Sequence, residues 1–296
     1  MKIYKNYFLI IAAGCLWGTI GLFVKLLEQA GSSSEYTTFL RMFFAFLMLL
    51  VITIIKDGHG AFRTDRGTLI SCILLGFVSM SLNNLFYAKA VSNLGMALAA
   101  ALLYSAPIFT SIESKIFFKE HIGRNKIIAI AMSAAGCVLA ATSGQFASVH
   151  LSLAGILFGL GAALAYSTQN IFGRLATNRT SPWVVSTYQF MFASIFTLIV
   201  GRPFSTVGNP LDPTILLYGV LFALIPTTIA YLLYFSGVRG ITESSKVPVM
   251  AAMELVVATV LGIAVFDESF SPISIVGVGL ILGSIALMSK NETKEE

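Results

Sequence analysis

The sequence predicts an all-α membrane protein with ten transmembrane helices in two inverted five-helix repeats. Three observations carry that expectation. Of the 296 residues, 56% are apolar and only 11% charged, less than half the charged share of about 25% usual in soluble domains, and the mean hydropathy is +0.85. The apolar runs are continuous rather than alternating, which selects helices over a barrel as the way to satisfy the backbone in lipid. Finally, the run from Leu151 to Arg174 restarts the first one: Trp17, Thr19, Phe23 and Lys25 align with Tyr166, Thr168, Phe172 and Arg174, each pair 149 positions apart.

Charges, Gly and Pro divide the chain into spans of about 20 residues, each enough to cross a hydrocarbon core of roughly 30 Å. The first repeat, residues 1–146, holds spans 6–27, 36–55, 68–90, 95–117 and 125–143; the second, 147–296, holds 151–175, 181–201, 213–237, 243–266 and 272–289. The opening M-K-I-Y-K-N-Y resembles the start of a signal peptide. The run behind it reaches Lys25 without a small-residue cleavage site, so it is expected to stay as the first helix. The longest polar connections are K-D-G-H-G-A-F-R-T-D-R-G and G-R-P-F-S-T-V-G-N-P-L-D-P, too short for a soluble domain. Pro107, Pro226 and Pro248 fall inside spans, where they free carbonyls or act as bend points.

Lys and Arg concentrate in alternate connections: Lys2 and Lys5; Lys56, Arg63 and Arg66; Lys119, Arg124 and Lys126; Arg179; Arg239; Lys290 and Lys294. The other connections hold little beyond Arg202. The positive-inside rule then places both termini in the cytoplasm of a multi-pass plasma-membrane protein. Five spans per repeat is an odd number, so the second repeat enters upside down. The net charge of +5 is spread over span ends and forms no nucleic-acid patch. The last span of each repeat carries small residues four apart, Ala131 with Ala135 and Gly279 with Gly283. That spacing favours close helix packing inside one protomer over dimerisation, so a monomer or weak homodimer is expected.

In this order the residues resemble a known family. L-W-G-T-I-G-L-F-V-K (16–25), F-L-R-M (39–42), A-L-L-Y-S-A-P-I-F (101–109) down to F-K-E (118–120), and A-A-M-E-L-V-V-A-T-V-L-G-I-A-V-F-D-E (251–268) are similar to EamA-type transporters, ten-helix members of the drug/metabolite transporter superfamily. The resemblance spans nearly the whole chain. It implies a central cavity and transport of small metabolites, often amino acids outward. One departure stands out: the family's ninth helix usually has a proline after its acidic residue, and here Leu255 follows Glu254.

Ionisable side chains inside spans are the sharpest functional signals, since each costs about 3 kcal/mol to insert at the midplane. Arg41 matches the family's arginine, and either binds an anionic group such as a substrate carboxylate, or snorkels outward or pairs with a structural acid. Glu254 shares a helix face with Lys246 and either carries a proton through the cycle or braces a helix interface. Glu113 is a second possible coupling acid, with a structural role the stronger expectation; Glu120 and Glu268, at matching span ends, are read as structural. Asn83 with Tyr87, Tyr104, Tyr166 with Gln169 and Asn170, Tyr231 and Trp17 supply amide, hydroxyl and aromatic groups that lipid solvates poorly. These and Lys246 are the expected substrate-contacting set, suited to a small amphipathic zwitterion. The bland alternative for each is helix-to-helix hydrogen bonding.

No catalytic residue, metal or cofactor is expected. Cys15, Cys72 and Cys137 lie in separate apolar runs. His59, His121 and His150 sit in connections or at span ends, and no H-E-x-x-H, Walker or G-x-S-x-G motif occurs. The expected function is export of amino acids or related solutes by alternating access, with a small molecule and the bilayer as partners. Uptake or exchange of a vitamin or nucleotide precursor is the alternative; a receptor or embedded enzyme fits less well.

Overall fold

The computed structural model describes residues 2–94, 96–142, 152–241, 243–266 and 271–290. The expected repeat boundary at 146/147, together with His150, Glu268 and Lys294, lies outside them. Every regular element among the described residues is helical, and helix occupies each of the ten expected segments. Among the described residues, seven stretches are long and apolar enough to cross a membrane: Tyr4–Gln29, Ser34–Asp57, Arg66–Leu94, Arg124–Thr142, Pro182–Gly201, Pro213–Arg239 and Ser244–Val265. Pro272–Met288 is apolar but shorter. The fourth segment is divided into Met96–Leu103 and Ala106–Phe118, and the sixth is one 25-residue helix, Leu153–Thr177.

Local features recur at the spacing of the sequence repeat. Ser33 and Ser181, 148 positions apart, each cap a helix by accepting from the amide three residues on, Tyr36 at 3.1 Å and Val184 at 3.4 Å. Asp65 caps through Gly67 and Thr68, and Asp212, 147 positions later, through Thr214 and Ile215. These oxygens satisfy amides that a helix start leaves without partners. A stretch of wide π turns opens at Leu75 and another at Leu224, 149 positions on. In both, a hydroxyl reaches back five residues: Ser81 donates to the Gly76 carbonyl at 2.8 Å and Thr227 to that of Phe222 at 3.0 Å. The fourth helix breaks at Tyr104–Ser105, and the ninth at Ala252, 147 positions after Ser105. Each half therefore has a widened third helix and an interrupted fourth.

The chain forms two compact units, each drawing on both halves: Met1–Ser81 with Phe172–Gly240, and Leu82–Ile171 with Ile241–Glu296. In the first unit, Phe23, Leu27, Tyr36, Phe39, Leu40, Ile215 and Phe222 form a buried cluster. Close approach is bought by glycine: a Cβ on Gly237 would lie 2.8 Å from the Asn6 carbonyl oxygen, and one on Gly76 would lie 2.6 Å from that of Gln189. Polar ties complete it, including Thr53 to Thr187 at 2.8 Å, Tyr188 to the Phe62 carbonyl at 2.7 Å and Arg179 to Asp65 at 2.9 Å.

In the second unit, Arg124–Thr142 packs along Pro272–Lys290. The crossing point is Gly136 against Gly277, where an added Cβ on either would lie 2.7 Å from the other's carbonyl oxygen. The G-x-x-x-G pair does not make that crossing: Gly279 faces open space and Gly283 meets only the end of Met132. The helix register puts Gly277, one half-turn earlier, on the packed side.

Candidate functional site

Two groups of polar and aromatic side chains are assembled, one in each unit. In the first, Trp17 ends the Lys2–Trp17 helix and is 4% exposed. Its ring lies 5.1 Å from that of Tyr231 and 5.2 Å from that of Tyr234, while Phe190 meets Tyr231 edge-on at 4.9 Å. The Trp17 indole N–H is buried with no hydrogen-bond partner. One turn before Tyr231, Thr227 accepts from Arg41 Nε at 2.9 Å, and the guanidinium sits 5.0 Å over the Phe222 ring. The widened turn at Leu224–Ile229 presents Thr227 to Arg41, and the helix then carries the row on to Tyr231 and Trp17. A cation and an aromatic group thus share one strip, the pairing that holds a carboxylate beside an apolar body.

The second group surrounds a narrow pocket of about 20 Å³, room for a single water-sized occupant. Its walls come from the broken fourth helix (Tyr104, Ala106 and Pro107) and the broken ninth helix (Pro248, Ala251, Ala252 and Glu254). Tyr166 from the sixth helix and Ser133 and Cys137 from the fifth close it. Proline explains the first break, since Pro107 offers no amide hydrogen to the Leu103 carbonyl four residues back. The ninth helix is interrupted at Ala252 although the family's usual proline is replaced by Leu255. There the Ala252 amide is shared between the carbonyls of Pro248 and Val249, and the Leu255 amide turns back to Ala252 at 3.1 Å. Ser133 Oγ is fully buried and unpartnered apart from the weak thiol of Cys137 one turn on.

The remaining expected residues lie elsewhere in the second unit. Ser167 donates to Glu113 Oε1 at 2.8 Å, and Asn170 donates to Thr110 at 3.2 Å, so both brace the sixth helix on the fourth. Gln169 Oε1 and Asn83 Oδ1 are buried without partners. Tyr87 is half-buried one turn beyond Asn83. Lys246 does not line the pocket: its side chain is 2% exposed and its ammonium lies 2.5 Å from Glu243, which also pairs with Lys126. Glu120 takes the amides of Ser244 and Ser245, at 2.7 and 3.3 Å, fastening the start of the ninth helix. Among the described residues no three His, Cys, Asp or Glu side chains gather as metal ligands.

The sequence matches the EamA-like transporter family twice, over residues 5–142 and 153–290. The chain belongs to that family. It is therefore a multi-pass membrane protein of the drug/metabolite transporter superfamily. Among relatives, it is 26% identical to an "Uncharacterized transporter" of Archaeoglobus fulgidus over 94% of each chain. It is 25% identical to "Uncharacterized transporter YwfM" of Bacillus subtilis, over 100% of this chain and 96% of the other. A solved structure described as "Crystal structure of protein" superposes with a TM-score of 0.83 over 99% of both chains at 16% identity, a likeness of fold alone. The EamA-like matches cover both widened helices and both broken ones. Sequence reasoning missed Ser133 and Cys137, which sit in an Ala-rich run like any packing residue; only their one-turn spacing opposite the Pro107 break marked them.

Proposed function

We propose that this EamA-like protein exports small amphipathic zwitterions, amino acids or close relatives, by alternating access. Ten crossings in two oppositely oriented five-helix copies, with both termini in the cytoplasm, form the frame. The observation that carries the solute class is the strip Arg41–Thr227–Tyr231–Trp17. Its guanidinium suits a carboxylate, its rings suit an apolar side chain, and the unpartnered indole N–H of Trp17 is a donor awaiting an acceptor. Matched interruptions in corresponding helices of the two copies support a transporter that works by moving half-helices around a bound solute. The widened turns supply flexible points in the helices beside them.

The test is counterflow in proteoliposomes preloaded with single amino acids, with and without a pH gradient. Accumulation of labelled neutral, apolar amino acids that depends on preloading is the expected result. Flux restricted to uncharged or cationic solutes lacking a carboxylate would overturn the assignment of the strip.

A further inference from the structure

The Glu254 pocket is of the wrong size for a metabolite and of the right chemistry for an ion. Its volume of about 20 Å³ holds one small occupant. Around that space stand one carboxylate, from Glu254, the Ser133 hydroxyl and the phenols of Tyr104 and Tyr166. At the first of the two breaks, Pro107 also removes the helical amide donor for the Leu103 carbonyl. Hard cations take oxygen ligands of these kinds, and unwound backbone with half-helix ends is where transporters hold coupling cations. A transition metal is disfavoured by the donor set, because among the described residues Cys137 is the only soft ligand lining the pocket and no histidine does. The buried Ser133 Oγ needs a partner that the protein supplies only as a thiol.

The geometry points to a sodium site between the two broken helices, with Glu254 and Ser133 as ligands. One carboxylate beside a space of this size matches a monovalent rather than a divalent ion. The site extends the transport reading by giving solute export an ion to exchange against. It also gives the matched breaks in the two copies a shared purpose, since each contributes to one pocket.

Binding of radiolabelled sodium to the purified full-length protein, measured by scintillation proximity in detergent without any solute, tests this directly. Saturable binding in the millimolar range is expected, displaced by unlabelled sodium and not by choline. Glu254→Gln should abolish it and Ser133→Ala should weaken it about tenfold, while Ser92→Ala, on an exposed surface, should not change it. Should Glu254→Gln fail to fold, Ser133→Ala decides alone. No saturable binding, equal displacement by choline, or unchanged binding in Ser133→Ala would overturn the site. Because no solute is present, a failure here leaves the export reading standing, and a failed counterflow screen leaves the sodium site standing.

Discussion

Arg41 Nε donates to Thr227 Oγ1 across 2.9 Å, and Thr227 in turn donates to the Phe222 carbonyl at 3.0 Å inside a widened helical turn. The arginine, 186 positions away in sequence, is thereby oriented by a backbone irregularity that a regular helix would not offer. Arg41→Ala is expected to raise the KM for zwitterionic solutes roughly tenfold or more while leaving transport of any non-carboxylate solute intact, the size of a lost charged hydrogen bond. Thr227→Val should give a smaller rise in KM with little change in maximal rate, because it removes one tie on the guanidinium and keeps the charge. Initial-rate measurements in proteoliposomes separate the two.

Glu243, just before the apolar stretch Ser244–Val265, joins Lys126 and Lys246 near the starts of two such stretches, and loss of this acid should cost more than loss of a surface charge. Lys246 is 1% exposed, and removing Glu243 takes an ion-pair partner from a buried ammonium. Glu243→Ala is expected to destabilise the protein by about 3 kcal/mol, and adding Lys246→Met should restore part of that. Thermal unfolding in detergent measures both.

The same carboxyl predicts an acid-side pH dependence. Burial works against its charge, but the hydrogen bonds and charges of Lys126 and Lys246 outweigh burial and hold it below the usual glutamate range. Its stabilising contribution is therefore complete above about pH 4.3, the ordinary glutamate value, and is lost as pH falls through the lower value of the folded state. Thermal unfolding against pH should show a decline on the acid side that is shallower in Glu243→Gln.

Gly136 and Gly277 should tolerate nothing larger. Gly136→Val drives a side chain into the Gly277 backbone and is expected to cost about 1–3 kcal/mol. Gly279→Ala meets open space and should leave stability unchanged. Equal effects of the two on thermal unfolding would refute the assigned crossing.

Much of the frame was legible because repetition is legible: the offset that aligns Trp17 with Tyr166 also separates the two widened turns. The helix caps could be read from Ser33, Asp65, Ser181 and Asp212, whose side chains act locally. The widened turns themselves could not, since L-G-F-V-S-M-S-L differs in no compositional way from a regular apolar helix. Lys246 was placed in the substrate-contacting set as an ionisable side chain inside a span, and an ion-pair partner, Glu243, lies three residues away, an i,i+3 pair within view. The Lys126–Glu243 pair spans 117 positions and only folding brings it together. Of the expected site residues, Tyr104, Tyr166 and Glu254 meet at the pocket, whereas Trp17, Arg41 and Tyr231 belong to the other unit. Sequence spacing alone did not separate those two groups.

The opposite orientation of the two copies is the claim on which alternating access depends, and Gly60 and Gly208 test it most directly. They are 148 positions apart in corresponding connections, and a side chain at either meets nothing within 4 Å. In a background with Cys15, Cys72 and Cys137 replaced by serine, single cysteines at these positions are exposed to a membrane-impermeant maleimide on intact cells. The account predicts labelling of Gly208→Cys from outside and of Gly60→Cys only after the cells are opened. Labelling of both from the same side would contradict it.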